Sequence, residues 1–245
     1  MTSYLIDYCK QVDPVLLKVG KDGKQSFSGA MRRQESFTAI VEKRALLWLA
    51  ERTPAWLSSD HLTLLGFGAH LLAGAGYALA RWNRYALFVV IAALVLNWLG
   101  DSLDGTLARY RQQQRPQYGF YVDHMVDSIG ALTLMGGLAV SGFMHPVIAI
   151  ALLIGFLLLS IQSYLATYTL REFRLSFWRF GPTELRILLA IGSIALFFRP
   201  VVQIFGKRHR LFDVGGVIGV IGMGVMLVVW TAQNIHKLYT QERIR

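Results

Sequence analysis

The stretch GDSLDGTLARYRQQQRPQYGFYVDHMVDSIG, residues 100–130, places Asp101, Asp104, Asp123 and Asp127 within 27 positions, between two long apolar runs. A charged side chain at the centre of a bilayer helix costs about 3 kcal/mol on insertion scales, so carboxylates inside such runs need a partner or a task. How the flanking runs are read decides the fold.

The chain of 245 residues is 54% hydrophobic and 16% charged, with a mean hydropathy of +0.42, whereas a soluble domain carries about 25% charged residues. The apolar residues stand in blocks. Six of them, 61–80, 86–108, 119–142, 146–170, 183–198 and 213–236, come close to the roughly 20 residues needed to cross a bilayer. Pro54, Pro146, Pro182 and Pro200 fall at the joints, where a missing N–H does least harm. The expected fold class is therefore all-α: a polytopic membrane protein of six transmembrane helices preceded by a surface amphipathic helix. That helix is expected over residues 36–57, with Ile40, Leu47 and Trp48 near one face and Glu42, Lys43, Arg44, Glu51 and Arg52 elsewhere. Residues 1–57 then form an N-terminal arm and juxtamembrane helix, and residues 58–245 a six-helix transmembrane catalytic domain. The first 35 residues are largely polar and contain Gly20, Gly23 and Gly29. They are expected to be irregular or surface-attached, with no cleaved signal.

The net charge of +10 fits anionic lipid and topology better than nucleic acid, given the apolar blocks around it. Of the 25 Lys and Arg, nineteen fall on the side of the two termini and six on the other. Both termini, and the acidic end of the second and third spans, are thus expected in the cytoplasm, in an inner or plasma membrane. The loop with Lys207, Arg208 and Arg210 runs against that count. Cys9 is the sole cysteine, so there is no intrachain disulfide and no cysteine zinc cluster. Gly215 and Gly219 in the last span are spaced for close helix approach, within the chain or in an expected homodimer.

At about 100° per residue, Asp104 lies about −60° from Asp101, with Gly105 at about +40°, Ala108 at about −20° and Arg109 at about +80°. On the third span Asp127 lies about 40° from Asp123, with Gly119 and Gly130 near the same face. Two acidic faces without bulk are expected to meet across a short basic turn. Carboxylate oxygens without Cys suit hard cations, magnesium or manganese, and four of them are enough for two ions. The small residues leave room for a large ligand close to the backbone, and Arg109 is placed to reach phosphate oxygens. A metal-ion transporter would also put acids among membrane helices, but these lie at one membrane end instead of the midplane.

The stretch resembles the CDP-alcohol phosphotransferase signature, D-x-x-D-G-x-x-A-R, a gap, then G-x-x-x-D-x-x-x-D, matched at Asp101, Asp104, Gly105, Ala108, Arg109, Gly119, Asp123 and Asp127. Six spans after a surface helix extend the likeness to about residues 36–236. The resemblance implies attack by an alcohol hydroxyl on the phosphorus distal to cytidine, with release of CMP. It implies that Asp101, Asp104 and Asp123 are ligands of two divalent cations, and that Asp127 completes the metal site and acts as general base. It also implies that Asp104, Gly105, Ala108, Arg109 and Gly119 face the nucleotide and its phosphates.

Within the family, the compact six-span size favours a CDP-diacylglycerol donor and a small polar alcohol acceptor. The alternative, CDP-choline or CDP-ethanolamine acting on a diacylglycerol, draws on the text Asp123-His124-Met125-Val126-Asp127-Ser128, which is similar to the D-H-x-x-D-S of that group. His124 is accordingly a candidate second-substrate residue, beside Arg171, Arg174, Arg179 and Arg186 on the same side as the aspartates. For each arginine the competing reading is ordinary cytoplasmic charge facing headgroups. His61 and His70 read as packing or interface residues, and Thr183 and Glu184 as N-terminal caps of the fifth span.

Overall fold

The computed structural model describes residues 31–33, 39–170, 172–174 and 181–242. Seven helices run α1 (Ala39–Arg52), α2 (Ser59–Leu79), α3 (Ala86–Tyr110), α4 (Pro116–Ser141), α5 (Pro146–Leu170), α6 (Pro182–Phe198) and α7 (Leu211–Gln241). Short strands add two ribbons: β1 (Met31–Arg33) pairs in parallel with β2 (Glu172–Arg174), and β3 (Val201–Ile204) pairs antiparallel with β4 (Lys207–Arg210).

Local sequence explains the helix starts. Pro116, Pro146 and Pro182 each sit in a first turn, where the fixed φ suits the helix and the N–H would be unused. Ser58 caps α2: its hydroxyl accepts from the His61 N–H while the His61 ring bonds back to the Ser58 backbone. His61 is thus a capping residue. Glu184 does the same for α6, accepting the Gly181 N–H at 2.8 Å. Thr183 does not cap; its hydroxyl reaches across to Glu42 at 3.0 Å.

Helices α2 to α7 fall on the six apolar blocks. Four of them, α2, α3, α5 and α7, are long and apolar enough to cross a membrane among the described residues. α4 is interrupted by Asp123, His124 and Asp127, and α6 has only 17 residues, about 25 Å of helix. The outward faces of α5 and α7 carry exposed Ile150, Ile154, Leu158, Ile218, Ile221 and Val225. Such surface is stable against lipid tails and would not be against water.

α2 is the spine of the bundle, and both α3 and α4 pack on it. A Cβ on Gly100 would lie 2.6 Å from the Gly66 nitrogen, and one on Gly137 would lie 2.0 Å from the Gly74 oxygen. Backbone meets backbone at these two crossings because neither residue has a side chain. Around them Ala73, Tyr77, Val90, Ala93, Leu134 and Leu138 form the core. α7 packs on α5 through Gly216 and Gly219, against Ile148 and Leu152; a Cβ on Gly215 would meet nothing. The expected close approach therefore uses Gly216 in place of Gly215.

α1 is docked on the bundle by Leu46 and Ala50, which meet Leu62, Leu103 and Leu107, while Trp48 is exposed. Of the residues expected on its apolar face, Leu47 is only half-buried, and the buried positions are Leu46 and Ala50. Of the expected irregular arm, residues 31–33 form a strand, and residues 1–30 and 34–35 lie outside the described residues. The β3–β4 hairpin replaces what the sequence suggested was a plain loop. Phe205 (φ 50°) and Gly206 (φ 76°) both take the left-handed conformation that a tight two-residue hairpin turn requires.

Candidate active site

The acidic face of α3 and the acidic face of α4 were expected to meet. Both helices pack on α2 and touch each other little, and their carboxylates face one another across the gap between them. The loop joining them is fixed from outside. Arg111 donates to the carbonyls of Leu57 (2.6 Å), Pro54 (2.8 Å) and Thr53 (3.0 Å), and Arg115 pairs with Asp60. These two cations of the basic turn thus have structural partners in the α1–α2 connection.

Asp104 is 5% exposed. One carboxylate oxygen accepts from the Thr63 hydroxyl at 2.7 Å and the other from the Gly105 N–H at 2.5 Å, and Ser59 binds its carbonyl at 3.1 Å. Asp101 is held by Arg186 of α6, Nη2 to Oδ2 at 2.6 Å. The same guanidinium donates through Nε to Asn97 Oδ1 at 2.6 Å. Asn97 is 2% exposed, and its amide donates to the Gly66 carbonyl at 2.9 Å and lies 3.2 Å from the His70 ring. His70 packs against Gly130, so it is a packing residue, as expected.

Across that gap, Asp127 lies in the electrostatic field of Asp101, Arg186, Asp123 and Asp104, and Asp104 in that of Asp123 and Asp101. The four carboxylates and Arg186 thus form one charge cluster. Among the described residues no three acidic, His or Cys side chains close around a single metal position. Asp101 is turned to Arg186 of α6 and Asp104 to Thr63 of α2. The donor set nevertheless fits a hard divalent cation: oxygen ligands alone, from two facing helices, with no thiolate among them.

His124 lies between Phe120 (ring centroids 4.2 Å apart, tilted) and Tyr164 of α5 (4.7 Å, edge to face). The Tyr164 hydroxyl lies beside Ser128 and Ser160 and in the field of Asp127. Arg109 is exposed and folds back along its helix to Thr106 at 3.2 Å, over Gly105. A Cβ on Gly119 would meet nothing within 4 Å. Ala108 lines a cavity of about 390 Å³ with Ser58, Asp60, Leu107, Arg111 and Arg115. Of the arginines singled out beyond α5, Arg186 joins the cluster, Arg174 lies in β2, and Arg171 and Arg179 are outside the described residues.

Sequence reasoning missed Thr63, Asn97, Glu42 and Tyr164. Asn97 stands four residues before Asp101, and Thr63 four after Ser59; a polar residue one turn from another inside an apolar span was the available signal. Glu42 of α1 accepts from Trp98 Nε1 (2.8 Å), Thr183 (3.0 Å) and Ser102 (3.2 Å). It ties α1 to α3 and α6 beside the Asp101–Arg186 pair.

A helical membrane bundle whose polar cluster sits at one end of the spine helix, between two acidic helices, is the setting of an integral membrane enzyme. The family model for CDP-alcohol phosphatidyltransferase matches residues 56–231; the chain belongs to that family and is a CDP-alcohol phosphotransferase of phospholipid synthesis. The architecture is similar to two crystal structures of Mycobacterium tuberculosis phosphatidylinositol phosphate synthase (PgsA1). The apo form is 22% identical at a TM-score of 0.54, covering 81% of this chain and 94% of that one. The form with CDP-DAG bound is 20% identical at 0.55, covering 85% and 98%. At these identities the likeness is one of fold. No curated protein matches the chain.

Proposed function

We propose that the chain transfers a phosphatidyl group from CDP-diacylglycerol to a small polar alcohol and releases CMP. The observation that carries this reading is the charge cluster itself: Asp101 and Asp104 on α3, Asp123 and Asp127 on α4, and Arg186 reaching them from α6. The similarity in fold to a synthase crystallised with CDP-DAG supports the choice of donor.

In this reading the CMP half of the donor occupies the cavity at Ala108, with Gly105 and Gly119 leaving space for the diphosphate and Arg109 swinging from Thr106 to its oxygens. Asp101, Asp104, Asp123 and Asp127 would hold two magnesium or manganese ions, whose charge would offset that of the pyrophosphate and of the CMP formed. Asp127 takes the proton of the acceptor hydroxyl. The hydroxyl oxygen then bonds to the phosphorus that carries diacylglycerol, the P–O bond to CMP breaks, and the electron pair leaves on the CMP phosphate. Arg186 is placed to orient an anionic group of the acceptor, since its planar fork already spans two acceptors, Asp101 and Asn97. Arg171, Arg174 and Arg179 belong to the same side by sequence, and His124 flanks the base.

A second reading, transfer from CDP-choline or CDP-ethanolamine to diacylglycerol, is favoured by Asp123-His124 and Asp127-Ser128 with the aromatic rings around His124. We further assign all six helices α2–α7 as spans, α4 and α6 being shielded by neighbours at their polar ends. Residues 1–57 serve as arm and surface helix and residues 58–245 as the catalytic domain, in a homodimer with termini and cleft in the cytoplasm. Purified protein incubated with each of the three donors and a panel of acceptors, with products identified by mass, tests the assignment. A phosphatidyl alcohol formed only from CDP-diacylglycerol supports the first reading, and a choline or ethanolamine lipid overturns it.

A further inference from the structure

The end of the bundle opposite the cleft carries its own charged surface. α6 starts at the cluster, where Arg186 meets Asp101, and ends where Phe197 packs on Tyr85 (5.5 Å) and Phe88 (4.9 Å) at the α2–α3 turn. The β3–β4 hairpin follows at once, and its base is closed by the Leu211 N–H donating to the Pro200 carbonyl at 3.0 Å. Lys207, Arg208, His209 and Arg210 make up β4 and are all exposed. Exposed Arg199, Arg81 and Arg84 lie at the same end. The acid there among the described residues is Asp213, whose carboxylate accepts the His145 N–H at 2.6 Å.

The hairpin apex is also unusual. Phe205 is fully exposed at φ 50°, a left-handed position where Asn, Asp or Gly is usual and a bulky residue is rare. Trp82 and Tyr85 are exposed at the same level. Strand register sets Arg208 opposite Gln203 and Arg210 opposite Val201, so these two arginines share one face of the ribbon, while half-buried Val202 and Ile204 share the other with His209 and Lys207. Four-residue strands reach only about 13 Å, and both ends of the ribbon are tied to helices in the bilayer. The apex therefore stays in or beside the headgroup layer.

We propose that the 201–210 hairpin is a lipid-binding element that grips the phosphates of anionic phospholipids in the leaflet away from the cleft, with Phe205 inserted at the acyl boundary. Charge complementarity selects the occupant. Cations clustered on a surface that the positive-inside rule would leave poor in them call for counter-charge close by, which the phosphates of anionic headgroups at that depth supply, and an exposed aromatic apex suits the interface.

The test uses the full-length chain with Cys9→Ser and a nitroxide on Phe205→Cys, reconstituted in phosphatidylcholine vesicles with or without phosphatidylglycerol. The label's accessibility to oxygen and to a water-soluble nickel complex reports its depth. With phosphatidylglycerol the label is expected about 5–10 Å below the headgroup surface, and in phosphatidylcholine alone it is expected in water. Lys207→Gln, Arg208→Gln and Arg210→Gln together are expected to return it to water even with phosphatidylglycerol, while CMP release in detergent stays within twofold of the parent. Three results would overturn the proposal: a label in water in both membranes, equal immersion in both or in the triple variant, or dipolar broadening that puts a second copy of the chain on the hairpin.

Discussion

Arg186 of α6 reaches Asp101 of α3 through Nη2 at 2.6 Å and, through the neighbouring Nε, Asn97 one turn earlier at 2.6 Å. One guanidinium thus fixes the phase of α3 at the cleft and places a positive charge among four carboxylates. Lysine offers a single ammonium and cannot span both acceptors in this planar geometry. Arg186→Lys is expected to lower kcat/KM by about tenfold and Arg186→Ala by about 100-fold, the scale of losing one charged donor at a reacting phosphate. Steady-state kinetics with varied acceptor checks this; an unchanged acceptor KM in Arg186→Ala would leave the arginine with a purely structural part.

Thr63 supplies the hydroxyl that orients buried Asp104. A hydrogen bond to a charged group contributes about 1.5–3 kcal/mol. Thr63→Val is therefore expected to reduce CMP release at least tenfold with little change in folding, and Thr63→Ser to restore most of it. Equal activity of Val and Ser variants would remove Thr63 from the site.

Glu42 lies outside the cleft, yet it accepts three hydrogen bonds from α3 and α6. Glu42→Ala leaves Trp98, Ser102 and Thr183 donors without this partner, at about 1–3 kcal/mol for each one that stays buried. A melting temperature in detergent lower by at least about 2–4 °C is expected, with Glu42→Gln between parent and Ala. A melting curve identical to the parent's would show that α1 is not latched through this residue.

The helix crossings that open the cleft depend on Gly100 and Gly137. An added Cβ would meet backbone at 2.6 Å and 2.0 Å, which no side-chain rotation relieves. Gly137→Ala is expected to destabilise the bundle by about 1–3 kcal/mol, and Gly119→Ala, where the space is open, to leave its melting temperature unchanged. The paired melting curves check both; equal stability of the two variants would contradict the close α2–α4 crossing.

The reach of the sequence has a physical limit that these residues illustrate. Helix existence and bounds followed from apolar blocks and proline joints, because span length and first-turn chemistry are local properties. The pairing of Asp101 with Asp104, and of Asp123 with Asp127, followed from the helical repeat alone. The cleft between them did not, since it depends on glycine crossings between α2 and each acidic helix. Nor did Asn97, Thr63 or Glu42, whose partners on other helices lie between 27 and 141 residues away. Periodicity carries no record of such distant contacts. The 201–210 hairpin escaped because four-residue strands with a Phe-Gly turn are shorter than the alternation that marks a strand.

The central claim is that the cleft activates an alcohol against a CDP-linked lipid, with Asp127 taking the proton. The most direct measurement is single-turnover CMP release from radiolabelled CDP-diacylglycerol by purified parent and Asp127→Asn protein, with donor binding measured on the same samples. The account predicts CMP release by the parent and, in Asp127→Asn, donor binding retained with release lowered at least 100-fold, as expected for loss of a positioned general base. Parent-like release from Asp127→Asn would contradict it.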